Sequence, residues 1–238
     1  PDSLLMGLED EGRKIVAHAV KIAHESIPVD AKVTLTSELV YSTPAPALIK
    51  MSGDAELVVT GSSGHGLLAR GLLGSVSSSV VHHASCPVAV IRDEDPSIPD
   101  PQHAPVLVGI DGSPASELAT AIAFDEASRR GVDLLAMHAW SDVAVLDVSG
   151  LDWSSVEAEA QRSLAESLAG WQERYPDVKV HRLIVRDRPA RQLVEKSESV
   201  QLVVVGSHGR GGLAGMLGSV SNSVLHSVRT PLIVARPA

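Results

Sequence analysis

The chain has 238 residues, 44% hydrophobic and 21% charged, with 20 Lys+Arg against 29 Asp+Glu and a formal net charge of -9. That length is a prior of one to two domains, and the composition excludes disordered, collagenous and low-complexity readings. The acidic balance argues against duplex nucleic acid as the main partner, because phosphate neutralisation supplies most of such affinity, and three Trp, two Tyr and one Phe form no stacking platform for single strands.

From the N-terminus the first pattern to emerge is a repeat. ELVVTGSSGHG at 56–66 returns as QLVVVGSHGRG at 201–211, an offset of 145 residues that runs back without a gap through Pro44-Ala45 and Pro189-Ala190. GLLGSVSSSVVHHASCPVAVIR at 71–92 returns as GMLGSVSNSVLHSVRTPLIVAR at 215–236, offset 144, so the second copy is one residue shorter within its glycine loop. This period is too long for a solenoid and implies two copies of one domain. In the first copy the alignment predicts a third strand over 33–40, a fourth over 57–60 and a fifth over 87–91. The Asp- and Pro-rich stretch 93–104 reads as a linker, giving an incomplete first domain over 1–92 and a complete second domain over 105–238. Roughly 40 or more N-terminal residues, a β-α-β unit with its own acidic residue, are expected to precede Pro1.

The second copy begins with a buried strand over 106–110 that ends in Asp-Gly-Ser. A helix with apolar residues at 118, 119, 122, 123 and 127 follows and closes at Gly131. A strand over 132–140, an amphipathic helix over 154–175 with Ser154 as a cap, and a strand over 178–185 come next. A helix from Pro189 to Lys196, a strand over 202–205, a loop and helix over 213–228 and a strand over 231–235 complete it. Alternating β and α units with continuous aliphatic strands imply a parallel sheet covered on both faces. Ligands of such sheets bind beyond the strand carboxyl ends. Asp111-Gly112-Ser113 and the segment 206–221 leave the sheet there.

In the loop Gly206-Ser207-His208-Gly209-Arg210-Gly211-Gly212, glycines let backbone N–H groups approach and surround an anion. Ser219 and Ser221 supply hydroxyls, and the helix start beyond Gly218 supplies partial positive charge. The loop lacks the Gly-Lys-Ser/Thr ending of a P-loop, and no GxGxxG follows the first strand. His208 and Arg210 lie where a phosphate contact is equally compatible with simple solvation; His65 is the first-copy counterpart.

These motifs resemble the universal stress protein family, in its tandem-domain actinobacterial form. Its ATP-binding subgroup carries Gly-x2-Gly-x9-Gly-Ser/Thr after the fourth strand, which Gly61, Gly64, Gly74 and Ser75 match; Gly206, Gly209, Gly218 and Ser219 match with eight intervening residues. The resemblance implies five-stranded parallel sheets of order 3-2-1-4-5 in two doubly wound domains, and association through the fifth strands, giving paired copies or a dimer. It also implies binding of ATP, with Mg2+ as an accompanying cation. Gly206 and Gly209 would border ribose and phosphates, and Gly218, Ser219, Val220 and Ser221 would hold phosphates. Asp111 would lie near the ribose or a phosphate-bound cation, and Ala139 near the adenine. In the first copy Gly61, Gly64, Gly74, Ser75, Val76 and Ser77 correspond.

Other chemistry has weaker footing. Ser113 and Ser219 lack a nucleophile elbow or a partnered His-Asp signature. Asp111 and Asp142 suit Mg2+ between phosphates, but no water-positioning residue is recognisable. His82 and His83 are adjacent and diverge on a helix, and no other cluster has zinc spacing. Cys86, the only cysteine, precludes an intrachain disulfide, fits a reducing cytosol and reads as buried and structural. No run of 18 apolar residues occurs, so no membrane helix is expected. The favoured function is nucleotide-dependent regulation in a cytoplasmic stress response, without catalysis; slow ATP hydrolysis and a scaffold with non-binding loops remain as alternatives.

Overall fold

The computed structural model describes residues 2–62, 73–92, 98, 100–139, 153–186, 188–209 and 216–237, with only the backbone of 2–5 and 153–156. Its contacts divide it into two units, Pro1–Thr43 and Pro44–Ala238.

The first unit is helix α1 (Asp2–Ser26) followed by an irregular segment. Glu9 and Asp10 pair with Arg13 and Lys14 one turn on, each at 2.6 Å, the favourable acid-before-base spacing on a helix. The Arg13 guanidinium holds the Glu9 carboxyl below its ordinary value. The third strand expected over 33–40 does not form. Backbone groups of a strand need a neighbouring ladder, and no strand lies beside this segment in its unit. Its apolar residues Val33 and Val40 are exposed.

The second unit holds α2 (Pro44–Met51), β1 (Val58–Gly61), α3 (Ser75–His83), β2 (Val88–Ile91), β3 (Val106–Gly109), α4 (Pro114–Arg130) and β4 (Leu134–Ala139). It continues with α5 (Trp153–Arg174), β5 (Val180–Val185), α6 (Pro189–Ser197), β6 (Leu202–Gly206), α7 (Ser219–Ser227) and β7 (Leu232–Ala235). All seven strands join one sheet in the order β1-β2-β7-β6-β3-β4-β5. The last five are the second copy, and in that copy's own numbering they read 5-4-1-2-3, the order the resemblance implied. Among the described residues the first copy contributes its fourth and fifth strands, and these share one seven-stranded sheet with the second copy's five in place of the two separate sheets expected.

The copies meet where β2 pairs with β7, the one antiparallel junction among otherwise parallel neighbours. Ala89 faces Ile233, its repeat equivalent, while Val88 faces Val234 and Val90 faces Leu232. The register is thus centred on equivalent residues, which makes the junction a pseudo-two-fold seam. Each strand covers the edge that the other would leave open to aggregation.

Side chains alternate between two cores. Val88, Val90, Leu232, Val234, Val203, Val205 and Leu107 pack with Val80, Val81, Val224 and Leu225 of α3 and α7. Ala89, Ile233, Val106, Val108, Val204, Leu134 and Ala136 face Phe124 of α4 and Leu164 and Leu168 of α5. On this second face the first copy's Val59 and Ile91 are exposed. Helix α4 is bounded as its sequence requires: the Ser113 hydroxyl accepts from the Ser116 N–H, Pro114 fills the first turn, and Gly131 closes the helix at φ 64°.

Phe124 is fully buried and stacks on Trp171 and Tyr175 at ring-centre separations of 6.1 and 5.7 Å. Replacing it by Ala removes the contact that fastens α5 to α4, and a loss of about 3–5 kcal/mol is expected. Urea denaturation followed by far-UV circular dichroism measures it; a loss under about 1 kcal/mol contradicts this packing account.

Candidate functional site

Parallel strands β3, β4 and β6 bring Asp111, Ala139 and Gly206 to the same end of the sheet. The chain moves from β3 to β4 and β5 on one side and returns to β6 and β7 on the other. The β3–β6 boundary is therefore the switch point at which the neighbouring loops diverge and leave a crevice.

Asp111 is locked into this crevice from both sides of its peptide. Its N–H donates to the Ser116 hydroxyl at 3.1 Å, and its Oδ1 accepts the Ser113 N–H at 2.9 Å. Gly112 between them takes φ 79°, a left-handed conformation that glycine adopts at little cost. The Ser113 hydroxyl then donates to the His208 carbonyl at 3.2 Å, tying the first loop to the glycine loop. A Cβ on Gly209 would lie 2.5 Å from Asp111 Oδ2, so the absence of a side chain there lets loop and carboxylate touch. A Cβ on Gly206 would meet the Ala115 carbonyl carbon at 2.8 Å and the Ser116 nitrogen at 2.9 Å. Gly206 is thus required by the approach of α4, whereas Gly209 is required by the site.

The return of the loop is held by backbone bonds. Ser207 N–H donates to the Ala235 carbonyl and Gly218 N–H to the Ser207 carbonyl, each at 2.7 Å. The Ser221 hydroxyl donates to the Gly206 carbonyl at 2.6 Å. That proton is committed to the fold, whereas Ser219 keeps an exposed side chain. No side chain caps α7 at Gly218, in contrast to Ser113 on α4. The first-turn N–H groups of α7, on Ser219, Val220 and Ser221, point out of the helix without an intrahelical acceptor.

The first-copy loop repeats this bonding. Ser62 N–H donates to the Ile91 carbonyl at 2.7 Å and Gly74 N–H to the Ser62 carbonyl at 2.6 Å. The Ser77 hydroxyl donates to the Gly61 carbonyl at 2.6 Å. Gly74 caps α3 without a side-chain bond, and Ser75 is exposed beside half-buried Val76. Gly64 and His65, together with Arg210 and Asp142, lie outside the described residues. Ala139 is half-buried at the end of β4, beside the buried His138, whose Nδ1 donates to the Ile110 carbonyl at 2.7 Å and ties β4 to β3. The sequence assigned Ser113 only as a nucleophile candidate. Its role as cap and strap was foreshadowed by the Ser-Pro pair before a helical period, a cap signature.

Cys86 is buried, its thiol donates to the Pro87 carbonyl at 3.4 Å, and burial pushes that thiol up from its ordinary value. Among the described residues no three His, Cys, Asp or Glu gather to hold a metal ion, and no helix is long and apolar enough to cross a membrane.

The chain matches the model of the universal stress protein family over residues 2–92 and 103–236. It is 68% identical over 237 residues to a universal stress protein of Mycobacterium tuberculosis, across 99% of this chain and 80% of that protein. A second universal stress protein of Mycobacterium tuberculosis is 56% identical over 237 residues, with the same coverage. Among solved structures, a universal stress protein from Archaeoglobus fulgidus superposes with a TM-score of 0.69 at 23% identity, covering 100% of this chain and 80% of that one, a likeness of fold.

Removing the hydroxyl at Ser221 or Ser77 leaves a loop carbonyl without its donor. Each Ser→Ala substitution is expected to cost about 1–2 kcal/mol, and Ser219→Ala less than about 0.5 kcal/mol. Thermal or urea melts check this; a Ser219→Ala effect as large as that of Ser221→Ala contradicts the assignment of the two hydroxyls.

Proposed function

The chain belongs to the universal stress protein family, and on that premise we propose that its second copy binds ATP in the β3–β6 crevice, so that occupancy regulates conformation or partner choice in a stress response. The observation that carries the reading is the contact of Gly209 with Asp111, where a bare backbone and a carboxylate share one crevice wall. A carboxylate accepts well from ribose hydroxyls and repels bare phosphate, so the ribose belongs beside Asp111 and Gly209. The phosphates then extend toward Gly218, Ser219, Val220 and Ser221, where uncapped helical N–H groups favour an anion. The adenine falls toward Ala139. A Mg2+ ion carried by the phosphates would supply charge neutralisation within reach of Asp111. The glycine loop suits such a ligand because its backbone is bonded in place, with Ser207, Gly218 and Ser221 all held by hydrogen bonds.

In the first copy Gly61, Gly64, Gly74, Ser75, Val76 and Ser77 would offer the corresponding phosphate cradle. A buried, unreactive Cys86 is in keeping with the reducing cytoplasm. The 1–92, 93–104 and 105–238 division remains our reading of the repeat, with both copies contributing to the same sheet, and self-association through further surfaces belongs to the same proposal.

Calorimetric titration with ATP, AMP and cyclic AMP, alongside analysis of nucleotide co-purifying with the protein, tests this. Asp111→Asn keeps the Oδ1 acceptor for Ser113 while removing the charge, and should weaken ATP binding about 10–100-fold. Gly209→Val should abolish binding in a folded protein. Absence of binding by all three nucleotides would leave the scaffold reading in its place, and steady phosphate release from ATP would favour the hydrolytic one.

A further inference from the structure

The described surfaces and buried groups outside the crevice include one paired feature that the site does not use. Arg92 follows β2 and Arg236 follows β7; both are buried, at 9% and 8% exposure. Each crosses the seam. The Arg92 Nη2 donates to the Leu225 carbonyl in the last turn of α7. The Arg236 Nη1 donates to the Val81 carbonyl in the last turn of α3 at 2.9 Å. Arg92 and Arg236 are repeat equivalents, 144 residues apart, and so are Val81 and Leu225. The two bonds are therefore one interaction made twice, with the copies exchanged, and the second arm is independent support for the first.

The chemistry fits the acceptors. Carbonyls in the last turn of a helix have no intrahelical donor and carry the negative end of its dipole, which a guanidinium satisfies on both counts. The peptide N–H that would otherwise close on Val81 is engaged elsewhere: Ser85 N–H donates to the Ser52 hydroxyl at 2.9 Å. Burial also draws Arg236 away from water and pushes its guanidinium down from its ordinary value, so the bond is not a loose surface contact.

We propose that Arg92 and Arg236 are reciprocal positioning residues: each holds the C-terminal turn of the other copy's loop helix, so that the glycine cradle at that helix's start is set by an arginine from across the seam. A nine-residue helix such as α7 is about 13 Å long and moves as a rod. Displacing its end at Leu225 displaces the N–H groups at Ser219–Ser221, and the same holds from Val81 to Ser75–Ser77. The position of each cradle thereby depends on a residue of the other copy. The effect on ligand rests on the nucleotide reading above; the mechanical exchange between copies does not.

Hydrogen exchange by mass spectrometry on the full chain, without ligand, separates the two. Arg92→Met should speed exchange in a peptide spanning 219–228 at least fivefold and leave 75–84 as in the wild type. Arg236→Met should do the reverse. Arg92→Lys and Arg236→Lys, which retain a cation, should restore part of the protection, and they carry the test if a Met variant does not fold. With ATP, Arg92→Met should weaken binding at the second-copy site about 5- to 10-fold, in the ordinary range of coupling between sites, and Arg236→Met should do so less. Faster exchange in the arginine's own copy, or equal acceleration in both helices, overturns the proposal. If the exchange pattern is crossed as expected while the wild type takes up no nucleotide, the nucleotide reading fails and the reciprocal positioning stands.

Discussion

The antiparallel bond between β2 and β7 is the constraint on which the rest of the molecule depends. Parallel strands within each copy can extend a sheet only through crossover connections, and each copy ends in a short aliphatic strand with one open edge. Joining those equivalent edges antiparallel converts two exposed ladders into one interior junction. It also puts Val80 and Val81 in the same buried cluster as Val224 and Leu225, so a single core runs beneath the seam. Because the register is centred on Ala89 and Ile233, every feature on one side of the seam has a counterpart on the other.

That symmetry is local. Both glycine loops are strung from the same three bonds, with donor–acceptor distances of 2.6–2.7 Å in each copy. In the second copy the loop touches Asp111, just beyond the end of the neighbouring strand β3. The loop backbone depends on the strand it leaves, the fifth strand beside it and the helix it enters, and both copies have all three within these residues. The wall opposite comes from the first strand, which in the second copy is β3.

The same reasoning explains why the two serines that differ in exposure differ in use. Ser221 and Ser77 point into the sheet and secure a loop carbonyl, whereas Ser219 and Ser75 stand at the open end of a helix. Four serines in equivalent motifs therefore divide into two that build the loop and two that stay exposed at the helix start. An arginine from across the seam at the far end of each helix completes a set of restraints that runs from one cradle to the other.

Much of this was legible before any coordinates. Repeat spacing marked the two copies, aliphatic runs marked β3, β4, β6 and β7, and Asp111 with the glycines marked the crevice, because strand burial, helical period and glycine-rich turns leave local signatures. The position of Ser113 as a cap was also local, present in its Ser-Pro pair though assigned otherwise. What the sequence alone determined was thus the elements, the tandem order and the residues that gather at the strand ends. Tertiary structure decided the rest. The residues over 33–40 have strand composition but no strand, since a ladder needs a neighbour that periodicity cannot supply. Gly206 and Gly209 look alike in the motif, and only packing shows that one accommodates α4 and the other Asp111. The pairing of Arg92 with Leu225 and of Arg236 with Val81 spans 133 and 155 residues, and no local pattern encodes a bond that exists only once two distant helices have been brought to either side of one seam.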